Sequence, residues 1–213
     1  MLALSAEPTT PTLRAALRNS ISAKWLLLSP FMVVTSSPSV ADGSTATREY
    51  LRHDGAVAVV PLLDDRTAPR LVLVRQYRYP LARVLLEFPA GKLEPGEAQL
   101  ACAMRELQEE TGYVAREWAY GGEIHNAAAY SSESIWIWFA RGLVPGPARP
   151  DAGEFVETVT LPLAELEALA DRGELTDVKT QIGLAWLQRW QAGHRALPWH
   201  TVAESTPPIM SPR

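Results

Sequence analysis

The sequence predicts an α/β fold in which a mixed β-sheet lies between helices. Three observations carry this. Short Val- and Leu-rich runs recur between Asp- and Pro-containing breaks. One run is apolar on both faces, as a central strand is. Segments of helical period interrupt and follow the strands.

Taken in order, residues 1–20 form an N-terminal extension. In it Thr10 is placed to cap, and Pro11 to start, a short helix carrying Leu13, Ala16 and Leu17. Residues 21–50 form a small N-terminal β-region. Its apolar run from Trp25 to Val34, broken by Pro30, reads as a pair of short strands. The alternative is a signal-peptide segment, with Arg14, Arg18 and Lys24 before it and Ser39-Val40-Ala41 as cleavage site. Residues 35–47 are rich in Ser, Thr, Pro, Asp and Gly and read as a turn or loop. The main domain runs from 51 to 193. Strands are expected over Ala56–Leu62, Leu71–Tyr77, Val84–Phe88, Trp118–Ile124, Ser134–Ala140 and Phe155–Leu161. In the fifth of these, Ile135, Ile137 and Phe139 alternate with Trp136 and Trp138, which marks it as central. A helix over Ala98–Thr111 carries the stripe Leu100, Ala103, Met104 and Leu107. A second covers Leu163–Ala170. A third starts after Thr176 as N-cap, with Val178, Ile182, Ala185, Trp186 and Trp190 on one side and Gly193 as its stop. Residues 194–213, with Pro198, Pro207, Pro208 and Pro212, read as a flexible tail.

Composition narrows the function classes. Of 213 residues, 47% are hydrophobic and 21% charged, which supports a sizeable core. A net charge of −4 and a pI near 5.6 give no global basic field for nucleic acid. No run approaches the roughly 20 apolar residues of a membrane span. Cys102 is the single cysteine, so neither an internal disulfide nor a cysteine zinc site can form, and a reducing cytoplasm is expected.

The chemistry concentrates around the first helix of the main domain. Gly91-Lys92-Leu93-Glu94-Pro95-Gly96-Glu97 is followed by seven residues and then Arg105-Glu106-Leu107-Gln108-Glu109-Glu110-Thr111-Gly112-Tyr113. Glu106 and Glu110 stack one helical turn apart with Glu109 beside them, away from the apolar stripe. Glu–Glu at this spacing is unfavourable by a few tenths of a kcal/mol. A hard dication such as Mg²⁺ or Mn²⁺ reverses that. Arg105 is placed to pair with Glu109 or with Glu97, and Glu97 suits the positive end of the helix. Gly91 and Gly96 allow tight turns and close backbone approach.

This segment resembles the Nudix signature: Gly, five residues, Glu, seven residues, Arg-Glu, an aliphatic, any residue, Glu-Glu, any residue, Gly and a hydrophobic. Every fixed position matches, and Tyr113 fills the last slot where an aliphatic is more usual. Seven fixed identities recur by chance on the order of 10⁻⁶ in a chain this long. The resemblance implies an α/β/α sandwich with the signature as a loop–helix–loop. It implies hydrolysis of a pyrophosphate with two or more divalent ions, Mg²⁺ or Mn²⁺. Glu106, Glu110 and Glu109 and the Ala90 carbonyl would be metal ligands, and Arg105 and Glu97 would hold loop and helix together.

Further segments are similar to the ADP-ribose pyrophosphatase branch: His53 to Pro61, Leu73-Val74-Arg75-Gln76-Tyr77-Arg78 and Glu87-Phe88-Pro89-Ala90-Gly91. The branch implies that Arg78 contacts substrate phosphate and that Glu87 lies on the ribose or base side; an ordinary surface arginine and a packing role are the competing readings. It also implies a general base on a loop before a later strand, for which Glu133 fits best, with Glu154 and Glu157 competing and His125 the weakest. Branch members often form homodimers through an N-terminal β-region, a role open to residues 22–50 with Trp25 or Phe31 as stacking groups. One departure concerns the substrate. The loop Asn126-Ala127-Ala128-Ala129-Tyr130 lacks the proline usual in enzymes acting on ADP-ribose. The expected substrate is therefore ADP-ribose or a related nucleoside diphosphate sugar. The alternatives are a dinucleoside polyphosphate, coenzyme A or an oxidised nucleotide, or a non-catalytic ADP-ribose-binding regulator.

Overall fold

The structure is a computed structural model and describes residues 32–36, 47–64, 69–146 and 156–202. The chain divides into two units, residues 1–53 and 54–213. In the first, β1 (Met32–Ser36) pairs antiparallel with β2 (Arg48–Arg52), from Met32 opposite Arg52 to Ser36 opposite Arg48. The expected loop thus begins later, since Thr35 and Ser36 are in the strand. The N-terminal helix, Trp25 and Phe31 lie outside the described residues.

The second unit is built on one mixed sheet. Its strands are β3 (Ala56–Asp64), β4 (Arg70–Arg78), β5 (Arg83–Glu87), β6 (Ala90–Lys92), β7 (Tyr113–Ile124), β8 (Ile135–Pro145), β9 (Val156–Pro162) and β10 (His200–Thr201). β3 and β8 run parallel, with Ala56 opposite Ile135 and Val60 opposite Phe139, and the other pairs are antiparallel. β8 lies between β7 and β3, the central place its two apolar faces require.

Between β3 and β4 the sheet forks. The two strands meet only near Leu62–Leu71 and Asp64–Arg70. Further along, β3 pairs with β6 while β4 pairs with β5. β9 lines the opposite side of β4 throughout, from Arg70 to Gln76. The segment Glu87–Lys92 therefore fills the fork as a wedge, and the Val59 N–H donates to Pro89 O at 2.8 Å across it.

Alternation along β3 creates two cores. Ala58, Val60 and Leu62 face one side with Ile137, Phe139, Leu71 and Leu73. There they meet α2 (Leu163–Asp171) and α3 (Val178–Gln191) through Leu166, Leu184 and Leu187. Val57 and Val59 face the other side, where α1 (Gln99–Thr111) packs Cys102, Ala103 and Leu107 onto them. The layers are therefore α/β/α.

Two expectations need correction. The cap of α3 is Asp177 and not Thr176: the Asp177 carboxylate accepts the Thr180 N–H at 2.9 Å, which a carboxylate does more strongly than a hydroxyl. Residues 194–202 are no loose tail. Leu197 is buried, Trp199 stacks edgewise on Trp190, Arg141 lies over the Trp199 ring, and His200–Thr201 pairs with Trp118 and Glu117. Pro198 thus lies within a packed return of the chain. We expect Leu197→Ala to lower unfolding free energy by about 2–3 kcal/mol in urea melts.

Candidate active site

α1 follows a turn in which the Glu97 N–H donates to Glu94 O and the Glu94 N–H donates to the Glu97 carboxylate. It ends at Gly112 in the left-handed conformation, a C-cap that glycine adopts without strain. Between these ends lie the signature acids. Glu106 and Glu110 are both buried, which is costly for carboxylates unless something compensates the charge.

The compensation is local and specific. Arg105 grips Glu97 through Nε and Nη2, each at 2.9 Å, and Glu106 and Glu109 through Nη1 at 2.8 and 2.9 Å. Its Nη2 also donates to Lys92 O at 3.1 Å, fastening the entry loop to the helix. Arg105 thus takes both expected partners and adds Glu106. The hydrogen bond to Glu97 raises the Arg105 pKa, and the same bond holds the Glu97 carboxyl below its ordinary value. A carboxyl depressed on folding stabilises above its unfolded pKa, and the contribution fades as pH falls through the folded value. Glu97→Gln should therefore cost about 1–3 kcal/mol near neutral pH. The gap from the parent protein should narrow as the pH of chemical melts is lowered below about 4. A gap independent of pH would contradict this.

The other two carboxylates meet the wedge. The Ala90 N–H donates to Glu110 Oε2 at 3.1 Å. The Glu106 carboxyl lies so close to Gly91 that a Cβ there would stand 1.9 Å from its Oε1. Glycine leaves room here for the end of that side chain, so any Cβ would make the carboxyl shift. Glu106, Glu110, Ala90 and Gly91 are thereby brought together. The donor set is oxygen only, of the kind hard divalent cations take. Among the described residues, no group of three or more His, Cys, Asp or Glu forms a ready cage. The seat is a carboxylate pair beside backbone, with Glu109 turned to Arg105, and it fits such a cation.

Next to this seat lies a second cluster. Arg78 donates from Nε and Nη2 to Glu87 at 2.7 and 2.5 Å. Glu87, 1% exposed, also accepts from Lys179 Nζ, and Lys179 donates to Asp177 Oδ1 at 3.0 Å. The Thr180 hydroxyl donates to Asp177 at 2.6 Å and accepts the Phe88 N–H at 2.8 Å. Burial would raise the Glu87 pKa, but the Arg78 hydrogen bond and the Lys179 charge outweigh it and lower it. The hydrogen bond to Glu87, against burial, raises the Arg78 pKa, with help from the charges of Glu87, Asp177 and Glu110. Arg78 and Glu87, expected as separate substrate contacts, are partners in this structure. Lys179, Asp177 and Thr180 escaped the sequence reading. The available signal was a lysine and a threonine just inside a capped helix start.

Glu133 sits just before β8. By register Ala90, Ala58 and Ile137 lie abreast, which places Glu133 two strands over and four residues on. Its N–H donates to Ser131 Oγ at 3.2 Å. Glu157 pairs with Arg75 at 3.4 Å on an exposed surface. Alternation puts it on the sheet face of Val159 and Leu161, opposite α1. Glu154 lies outside the described residues, and His125 Nδ1 meets Ser134 Oγ at 3.3 Å.

The family model described as the NUDIX domain matches residues 52–180. The chain is 37% identical over 153 residues to a methanol dehydrogenase activator of Bacillus methanolicus, covering 71% of this chain and 81% of that protein. It is 34% identical over 153 residues to an ADP-ribose pyrophosphatase of Bacillus subtilis (strain 168), with the same coverage. A crystal structure of an ADP compounds hydrolase matches with a TM-score of 0.67 at 28% identity, covering 76% of this chain and 87% of that one.

Proposed function

This chain belongs to the Nudix family, and on that premise we propose that it hydrolyses the pyrophosphate of ADP-ribose or a related nucleoside diphosphate sugar. The products are a nucleoside monophosphate and a sugar phosphate. The observation that carries this reading is the seating of Glu106 and Glu110 against Ala90 and Gly91. Relatives named ADP-ribose pyrophosphatase and ADP-sugar pyrophosphatase support the substrate class.

Glu106, Glu110 and the Ala90 carbonyl would hold the cation, proposed as two or more Mg²⁺ or Mn²⁺ ions. When bound, the metal neutralises phosphate charge and lowers the pKa of the attacking water. The chain does the rest. Arg105 locks entry loop to helix so that the carboxylates keep their geometry. Arg78 donates N–H groups to a phosphate oxygen and so holds the substrate in place while water oxygen bonds to phosphorus and the bridging P–O bond breaks. Glu133, half-buried just before β8, is the proposed acceptor of the water proton. The same reading takes the enzyme to be a cytoplasmic homodimer whose substrate is a free small molecule.

The test is a panel of nucleotide sugars, dinucleoside polyphosphates and coenzyme A with Mg²⁺ or Mn²⁺, with products resolved by chromatography. AMP and ribose 5-phosphate from ADP-ribose are expected. Tight ADP-ribose binding with no nucleotide sugar turned over would overturn the reading in favour of a binding regulator.

A further inference from the structure

Lys179 carries a buried charge that the hydrolytic chemistry by itself does not require. It occupies the second position of α3 and is 8% exposed. The positive end of a helix is an unfavourable place for an ammonium, and burial makes it more so. Nor does Glu87 need it for neutrality, because Arg78 already forms a two-pronged pair with that carboxylate.

What Lys179 adds is an anchor. The charges alternate along Arg78, Glu87, Lys179 and Asp177, and each end is fixed differently. Asp177 is held by the backbone N–H and hydroxyl of Thr180, and Thr180 in turn by the Phe88 N–H. Arg78, at the other end, has a side chain 39% exposed. A buried ionic chain satisfied at every link specifies geometry more than it adds stability. Arg78 spends Nε and one edge of Nη2 on Glu87. Its planar guanidinium therefore turns its Nη1 end away from that carboxylate.

We propose that Lys179 is a positioning residue for the pyrophosphate subsite: it fixes the Glu87 carboxylate, which fixes the plane of the Arg78 guanidinium so that the outer N–H edge meets a substrate phosphate oxygen. This rests on the reading of Arg78 as a phosphate contact. Without Lys179 the carboxylate has one cation instead of two and is free to swing, and Arg78 swings with it. Binding suffers while the carboxylate pair on α1 is untouched.

The experiment is steady-state kinetics, on the nucleotide sugar cleaved in the panel, for Arg78→Met, Lys179→Met, Lys179→Gln, Lys179→Arg and the double variant Arg78→Met/Lys179→Met. Lys179→Met should raise KM about tenfold with kcat within about threefold, the split expected of lost positioning in binding. Lys179→Gln, which keeps an N–H donor and nearly the length, supplies the same test if the methionine variant does not fold. Lys179→Arg should restore most of the loss. The double variant should be no worse than Arg78→Met alone, because the two residues act in series. Three results overturn the inference: losses that multiply, a lower kcat at unchanged KM, or silent lysine variants beside an impaired Arg78→Met. A silent Arg78→Met would instead remove the reading of Arg78 and the inference with it. Absence of any turnover by the parent protein would remove the hydrolase reading and both together.

Discussion

Glu110→Gln should lower kcat by about three orders of magnitude, some 4 kcal/mol in barrier, without lowering the melting temperature of the metal-free protein. The amide oxygen can still accept the Ala90 N–H, the bond that seats the side chain on the wedge. What disappears is a negative charge in a buried position, next to the like charges of Glu106 and Glu109. Like charges one helical turn apart oppose helix formation by a few tenths of a kcal/mol. Neutralising one should leave stability unchanged or slightly raised. Affinity for a divalent cation should fall steeply, because a neutral amide is a much poorer ligand for a hard ion than a carboxylate. Excess Mn²⁺ should recover part of the activity. Isothermal titration with Mg²⁺, melting curves in EDTA and turnover measured together check the argument. Full activity in this variant would refute the assignment of Glu110 to the metal.

Gly91→Ala should be nearly as severe for a different reason. The new Cβ would come within 1.9 to 2.3 Å of all three atoms of the Glu106 carboxyl group. Nothing in a packed structure tolerates that separation, so Glu106 moves or the wedge does. A shift near 1 Å in a reacting constellation costs roughly a hundredfold in rate, and overpacking costs about 1–3 kcal/mol in stability. Lower turnover with weaker metal binding is expected. A crystal structure of the variant should show the Glu106 side chain displaced from the wedge. Wild-type turnover would mean that the Glu106 carboxylate does not work from this position.

These two effects differ in how far the sequence foretold them. The carboxylate helix was legible because its information is local: a 3.6-residue period separates the apolar stripe from the acids, and glycines bracket both ends. Most strand positions were legible for the same reason, since alternation and break residues suffice. The cluster around Glu87 was not. Its lysine partner lies 92 residues further on, and no periodicity links a strand end to the second residue of a distant helix. That Arg78 and Glu87 pair with each other is invisible in the sequence, because pairing across a strand register cannot be seen before the register is known. The return of residues 194–202 is hidden in the sequence because Pro198 looks the same in a loose tail and in a packed one. Asp177 displaced Thr176 as cap through a one-residue shift that capping preferences alone do not resolve.

The wedge that fills the forked sheet has a consequence for how this chain can vary. Glu87, which faces the ion chain, and Ala90 and Gly91, which seat Glu110 and Glu106, lie within five consecutive residues hydrogen-bonded to β4 at one end and β3 at the other. Insertion or deletion of a single residue between them would shift one half against the other and turn side chains to the wrong face. Loops elsewhere in the molecule can lengthen or shorten at little cost, but this stretch cannot. It is expected to pass through evolution or engineering as one indivisible cassette. A graft that transfers the seat of Glu106 and Glu110 to another scaffold would have to carry Glu87 with it.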